Sequence, residues 1–301
     1  VKTAARDGRR HLILHYHFFK NAGTTIESVL QQSFRERMVR FDSDDHNSVI
    51  SNNALLAFLQ EHTDTVAVTS HHLRPPKPDD QHFVFHDIVF LRHPLARLWS
   101  TYEFYRRMDV GKDPLAAVAK DRNAPEFFRL LMSEYPRHAS NAQVNLVANG
   151  GDKLPVPGDL NRAMKMVSDA SILGTAEDFD QSAVVGEQAL CRTFAGVDFS
   201  YVAQNVSSGQ VRSLDAQLAH FEKICGKDLF DRLVDANQLD VALHRAASEE
   251  VHRRFKLLPS PEQKLKEFQQ RCRKRERGAA TIVIASNHPA DFAFYANMGV
   301  Q

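Results

Sequence analysis

The chain has 301 residues, 43% hydrophobic and 25% charged, the balance of an ordinary globular enzyme and not of a disordered or fibrous chain. Lys plus Arg number 38 against 37 Asp plus Glu, a formal charge of +1, so no global field holds the chain on nucleic acid or an anionic membrane and any anion site must be local. Cys191, Cys225 and Cys272 are odd in number and far apart, with no C-x-x-C pair, which argues for reduced thiols over a disulfide framework or a zinc ribbon.

No stretch approaches the roughly 20 apolar residues of a membrane span. The basic residues among Val1 to Arg10 are not followed by a signal-peptide core, so a cytoplasmic protein is expected. Val rather than Met at position 1 fits a segment excised from a longer protein.

Along the chain, His11 to His17 (H-L-I-L-H-Y-H) is a short β-prone run. It passes through a tight loop into a stretch where Ile26, Val29, Leu30 and Phe34 recur at helical spacing, with Thr24 or Thr25 where a helix cap belongs. Asp42 to Asn53 reads as a polar loop, Ala54 to Glu61 as a helix and Thr65 to Thr69 as a strand. The P-P-K-P-D-D run breaks the chain before a buried-strand pattern over His82 to Leu91, which ends on Arg92. Pro94 then opens a helix carrying Leu95, Leu98, Trp99, Tyr102 and Tyr105.

From Pro114 the patterns are mostly helical: Leu115 to Asp121, Pro125 to Glu134, Ala139 to Ala148, Leu160 to Ser168, Asp180 to Ala195 and Phe230 to Leu257, with one strand at Ser171 to Gly174. Strands alternating with helices predict an α/β fold with a parallel sheet covered on both faces. The basic stretch Gln263 to Arg277 is either a contact for an acidic acceptor or a solvated helix face. Thr281 to Ala285 is strand-like and has no clear place in the fold.

A strand that breaks into a Gly-containing turn and then a helix aims unpaired backbone N–H groups and the positive helix end at one point, a natural seat for phosphate or sulfate. Lys20 adds a full charge there, and Thr24 and Thr25 add hydroxyl donors. The spacing is not that of the G-x-x-x-x-G-K-[ST] loop, because Lys20 precedes Gly23 and no lysine follows it.

His17 to Thr25 (H-F-F-K-N-A-G-T-T) resembles the H-I-P-K-T-A-G-T-T/S loop of the carbohydrate sulfotransferase superfamily, which includes the heparan sulfate 2-O- and 6-O-sulfotransferases and bacterial relatives. Phe19 stands where proline is usual and Asn21 where threonine is usual. Ile88 to Tyr102 (I-V-F-L-R-H-P-L-A-R-L-W-S-T-Y) is similar to the family's F-L-R-D-P-V-x-R-F-L-S-x-Y segment. Weaker likenesses run through Asn141 to Gly150, Leu173 to Ser182 and Gln204 to Ser207.

The resemblance implies a P-loop-like three-layer fold in a single domain over residues 1–301, with a donor-binding core over 11–205 and a helical part over 206–301. It implies transfer of a sulfuryl group from 3'-phosphoadenosine-5'-phosphosulfate to an acceptor hydroxyl, with a carbohydrate as the family's usual acceptor and no metal. The 5'-phosphosulfate would lie on Lys20, Asn21, Ala22, Gly23, Thr24 and Thr25. The 3'-phosphate would lie on Arg92 and Ser100, and the loop after Asn205 would close over the nucleotide.

Sulfuryl transfer needs a base for the hydroxyl proton and positive charge where the leaving oxygen becomes negative. Lys20 suits the second task. Among 15 histidines, His71 and His72 in T-S-H-H-L-R-P-P follow the strand expected beside the loop. His71 resembles the family's base, His72 is one residue away on the other face, and Glu103 is a substitute. Two alternatives to the sulfotransferase remain open at this stage, a related phosphotransferase and a non-catalytic nucleotide-binding relative. Arg74, Lys77, Arg106 and Arg107 are candidates to meet an acidic sugar or to stay solvated.

Overall fold

A computed structural model describes residues 8–45, 48–202 and 213–280. Strands β1 (Arg10–Tyr16), β2 (Met38–Arg40), β3 (Ala67–Ser70), β4 (Phe83–Leu91) and β5 (Ile172–Thr175) form one all-parallel sheet in the order β2-β3-β1-β4-β5. Because side chains alternate along a strand, β1 feeds two cores: Leu12, Leu14 and Tyr16 face one layer and Ile13 the other. Both faces are covered, as the mainly apolar sequences of β1 and β4 require.

One layer holds α1 (Gly23–Phe34), α9 (Phe179–Leu190) and α13 (Pro261–Ala280), which bring Ile26, Val184 and Phe268 against the sheet. The opposite layer holds α2 (Asn52–Glu61), α7 (Ala142–Asn149), α8 (Pro157–Asp169) and α12 (Gln238–Lys256), with Leu55, Val144, Val167 and Leu243 buried. The fold is therefore a three-layer α/β sandwich. A third cluster joins α3 (Pro94–Arg107), α4 (Pro114–Asp121), α5 (Ala124–Glu134), α10 (Leu214–Cys225) and α11 (Lys227–Ala236) through Leu98, Tyr105, Phe128, Phe221 and Leu233. A single turn, α6 (Pro136–Ala139), leads from α5 to α7.

Several sequence expectations need correction. The helix expected over Phe230 to Leu257 is two helices, broken at Asn237. That side chain is fully buried and donates to the carbonyl oxygens of Leu233 (2.9 Å) and Ala139 (2.7 Å), so it ends α11 and pins it to α6. The helix expected over Ala139 to Ala148 starts only at Ala142, because Asn141 adopts a left-handed conformation (φ 47°) between α6 and α7. The helix expected over Asp180 to Ala195 ends at Leu190. Strand β2 and helix α10 are additions, the former too short to show a period.

The basic stretch is the outer part of α13. Arg271 pairs with Glu187 (2.7 Å) and Asp198, and Arg275 with Asp198 (2.7 Å); Lys266, Arg273, Lys274 and Arg277 are exposed. It thus fastens α13 to the segment around α9. Residues 204–207 and 281–285 lie outside the described residues. The cysteines are unpaired, with Cys225 and Cys272 buried and Cys191 exposed. Among the described residues no helix is long and apolar enough to cross a membrane.

Candidate functional site

The carboxyl ends of β1, β3 and β4 are adjacent, with Tyr16 opposite Ser70 on one side and Val89 on the other. Chain order reverses around β1, which is where open α/β sheets leave a crevice for ligands. The loop after β1 turns through left-handed conformations at Lys20 (φ 63°) and Ala22 (φ 62°), so Ala22 and not a threonine occupies the cap position of α1. No side chain caps this helix. Thr24 and Thr25 lie inside its first turn, which corrects the expected capping role and leaves the helix end open to an anion.

Gly23 is dictated by packing. A Cβ at this position would stand 1.9 Å from Cδ2 and 2.3 Å from Nε2 of His17, whose ring occupies the space. The two family departures both anchor the loop. Phe19 packs edge-on against Phe104 of α3 at 5.2 Å, and the Lys20 ammonium lies over the same Phe104 ring at 4.5 Å. The Asn21 side chain is buried and points inward: its Nδ2 donates to the Phe90 carbonyl (3.0 Å) and to Gln143 Oε1 (2.8 Å). Asn21 therefore holds the loop in place by its side chain, while its main-chain N–H donates to the Phe18 carbonyl (3.3 Å).

Arg92, 72 residues further along, meets this loop directly, donating from Nη1 to the Lys20 carbonyl at 3.3 Å. Its Nε is buried without a hydrogen-bond partner. Burial works against its charge, while Glu177 and Glu103 support it. Glu103 thus lies in the surroundings of Arg92. Ser100 is half-buried two turns along α3.

Gln143 of α7 ties these pieces together. Its Oε1 accepts from the Arg92 N–H (2.9 Å) as well as from Asn21, and its Nε2 donates to the Arg92 carbonyl (2.8 Å). Asp240 of α12 accepts the Gln143 and Val144 N–H groups at 3.0 and 2.8 Å, while Asn141 Oδ1 accepts those of Leu239 and Asp240 at 3.0 and 3.1 Å. Helices α7 and α12 cap each other.

His71 lies at the end of β3. Its Nδ1 is 2.9 Å from the His17 carbonyl oxygen; a carbonyl only accepts, so Nδ1 carries the proton and Nε2 the lone pair. Its ring covers that of His17, with centroids 3.9 Å apart. Burial and the neighbouring His17 push His71 down to about 3, against the opposing pull of Asp42 and Glu27. His17 is likewise lowered to about 3, first by burial and then by Arg40. Its Nδ1 lies 3.2 Å from Glu27 Oε2, in ion-pair range without the alignment of a hydrogen bond, and Arg40 grips the same carboxylate.

Asp42 organises the turn after β3. It accepts the His71 N–H (2.7 Å) and the Ser70 hydroxyl (3.1 Å) and lies 3.2 Å from His72 Nδ1. Burial opposes its ionisation, but these contacts hold the carboxyl at about 2. His72 is buried and turned toward Asp42, whereas His71 lines an open pocket of about 500 Å³. The two candidate bases are thereby separated by orientation. Arg137, His138, Ala142, Asn145, Leu146 and Gly151 also line the pocket, as do Arg74 and Arg97. Of the cations considered earlier, Arg74 alone lines it; Lys77 pairs with Asp87 (2.7 Å), and Arg106 and Arg107 are exposed on α3.

No protein-family profile matches the chain. Over 241 residues, 78% of this chain and 94% of the other, it is 25% identical to an uncharacterized protein of Archaeoglobus fulgidus.

His17, Asp42, Gln143 and Arg97 are the site residues that sequence reasoning misses. His17 carries a usable signal, since it stands two residues after His15, just past the end of β1, where their rings stack with centroids 5.3 Å apart. Asp42, Gln143 and Arg97 have none; they reach the site through tertiary packing.

Proposed function

We propose that this protein is a sulfotransferase that transfers a sulfuryl group from 3'-phosphoadenosine-5'-phosphosulfate to an acceptor hydroxyl, on a carbohydrate or another hydroxylated molecule. The observation that carries this reading is the meeting of the two anion-binding segments: Arg92 touches the Lys20 loop while His71 stands on the adjacent strand end. The residues suit a ligand with two phosphate groups. The uncapped end of α1 offers N–H donors to one, and the buried, unpartnered Nε of Arg92 with the Ser100 hydroxyl offers donors to the other.

In this reading His71 accepts the hydroxyl proton on Nε2 as the acceptor oxygen bonds to sulfur. The sulfur–oxygen bond to the donor phosphate breaks, leaving its electron pair on the phosphate oxygen, where Lys20 and the α1 N-terminus favour negative charge. Asp42 is a positioning residue: it holds the His71 main chain, and its carboxylate favours the imidazolium as it forms. His17 orients His71 through its carbonyl oxygen and supports it by stacking.

The test is calorimetric titration with adenosine 3',5'-bisphosphate and with ATP, followed by transfer of radiolabelled sulfate to an acceptor panel. Binding of the bisphosphate is expected, with transfer falling about 10²–10⁴-fold in His71→Ala and Lys20→Ala. Tight ATP binding with no affinity for the bisphosphate overturns the proposal.

A further inference from the structure

The pocket beside His71 has a chemical character of its own. Three arginines, Arg74, Arg97 and Arg137, are among its lining residues, and among the described residues no Asp or Glu is. Main-chain carbonyl oxygens seat all three: Arg74 donates to Gly150 (3.1 Å) and Leu73 (2.9 Å), Arg97 to His138 (2.7 Å) and Arg137 to Asp152 (3.0 Å). A carbonyl oxygen orients a guanidinium and leaves its formal charge in place. His138, between Arg97 and Arg137, registers the resulting field: burial and these two charges lower it to about 4. Asp240, fully buried behind α7, feels the Arg97 charge but is outside the lining.

The pocket is also small. Even with the open solvent at its mouth included, its empty volume is only about 500 Å³, so nothing larger than a small molecule fits within it. Phe18 and Leu146 add apolar lining, suited to a short carbon body.

From this charge and size, together with the sulfotransferase reading on which the inference rests, we infer that the acceptor is a small hydroxylated anion. It would be a molecule that carries a carboxylate or phosphate on the same compact skeleton as the hydroxyl to be sulfated. The arginines hold the oxyanion and His71 takes the hydroxyl proton, so the anion selects the acceptor and is unchanged by the reaction.

The experiment uses the full chain and matched pairs that differ in charge: glycerol 3-phosphate against glycerol, 4-hydroxybenzoate against 4-hydroxybenzamide, and glucuronate against glucose. Binding is read by calorimetry without donor, and sulfate transfer by radiolabel with donor. Charged members of at least one pair are expected to bind and react at least tenfold better than their neutral partners. Arg137→Gln should erase that preference, Arg137→Lys should restore part of it, and neither should change affinity for adenosine 3',5'-bisphosphate.

Equal use of charged and neutral members overturns the inference. So does a preference untouched in Arg137→Gln, or a glucuronate-containing polysaccharide that outperforms every small anion. If the bisphosphate does not bind but the anions still bind through Arg137, the donor assignment falls and the anion pocket stands.

Discussion

Replacing Gly23 by Ala puts the packing under the loop after β1 to a direct test. The new Cβ would stand 1.9 Å from the His17 ring, where carbon atoms at rest keep about 3.5–4.0 Å, so the ring must retreat by roughly 1.5 Å. It has little room: His17 is 7% exposed, lies on the His71 ring at 3.9 Å and faces Glu27 at 3.2 Å. Overpacking of this kind costs about 1–3 kcal/mol, equivalent to a fall of several degrees in Tm. Pushing His71 by even about 1 Å would cost on the order of 10²-fold in transfer rate. Thermal unfolding and radiolabelled sulfate transfer measure the two effects. In Gly23→Ala/His17→Ala the offending ring is gone and the methyl occupies its space, so the double variant should exceed the sum of the single stabilities by about 1–3 kcal/mol. Additive losses, or a Gly23→Ala protein as stable and active as the parent, would refute the steric account.

Two further outcomes follow from buried polar groups. His17 stays neutral in the fold down to about 3, whereas unfolded histidine takes up a proton near 6.5. The unfolded state therefore binds more protons between those values. The stability held by His17 is complete above pH 6.5 and falls as the pH drops toward 3, by up to about 1.4 kcal/mol per pH unit. Urea unfolding at pH 7, 6, 5 and 4 should show the decline, and His17→Gln should make it shallower; a flat profile contradicts the assignment. Gln143→Leu removes the partner of both the Arg92 main chain and the Asn21 amide. It should cost more than about 2 kcal/mol in urea unfolding and weaken adenosine 3',5'-bisphosphate binding at least tenfold by calorimetry, and unchanged affinity in a folded variant counts against the strut.

Much of the sheet is legible in the sequence because strands buried on both faces are written as mainly apolar runs, as in β1 and β4. Polar breaks at Arg92 and after His17 mark where the strands end, so the crevice residues can be picked out by type alone. Three residues of β2 carry no period, and its place beside β3 emerges only in space. The separation of His71 from His72 depends on Asp42, a loop residue 29 positions earlier that fixes the turn through the His71 N–H. The break at Asn237 is invisible for a similar reason, since a buried side chain bonded to Ala139 ends a helix whose pattern otherwise continues.

The reciprocal capping of α7 and α12 sets an order of assembly. Gln143 clasps the end of β4 and the loop after β1, yet its own helix start is satisfied by Asp240, 97 residues later. During synthesis the sheet strands β1 to β5 all emerge before Asp240 does. The nascent α/β core therefore has its strands in place while the clasp over its ligand crevice still lacks its latch. On the proposed reading a nucleotide site is complete only once α12 has docked, which makes this helix the part of the chain that commissions the site.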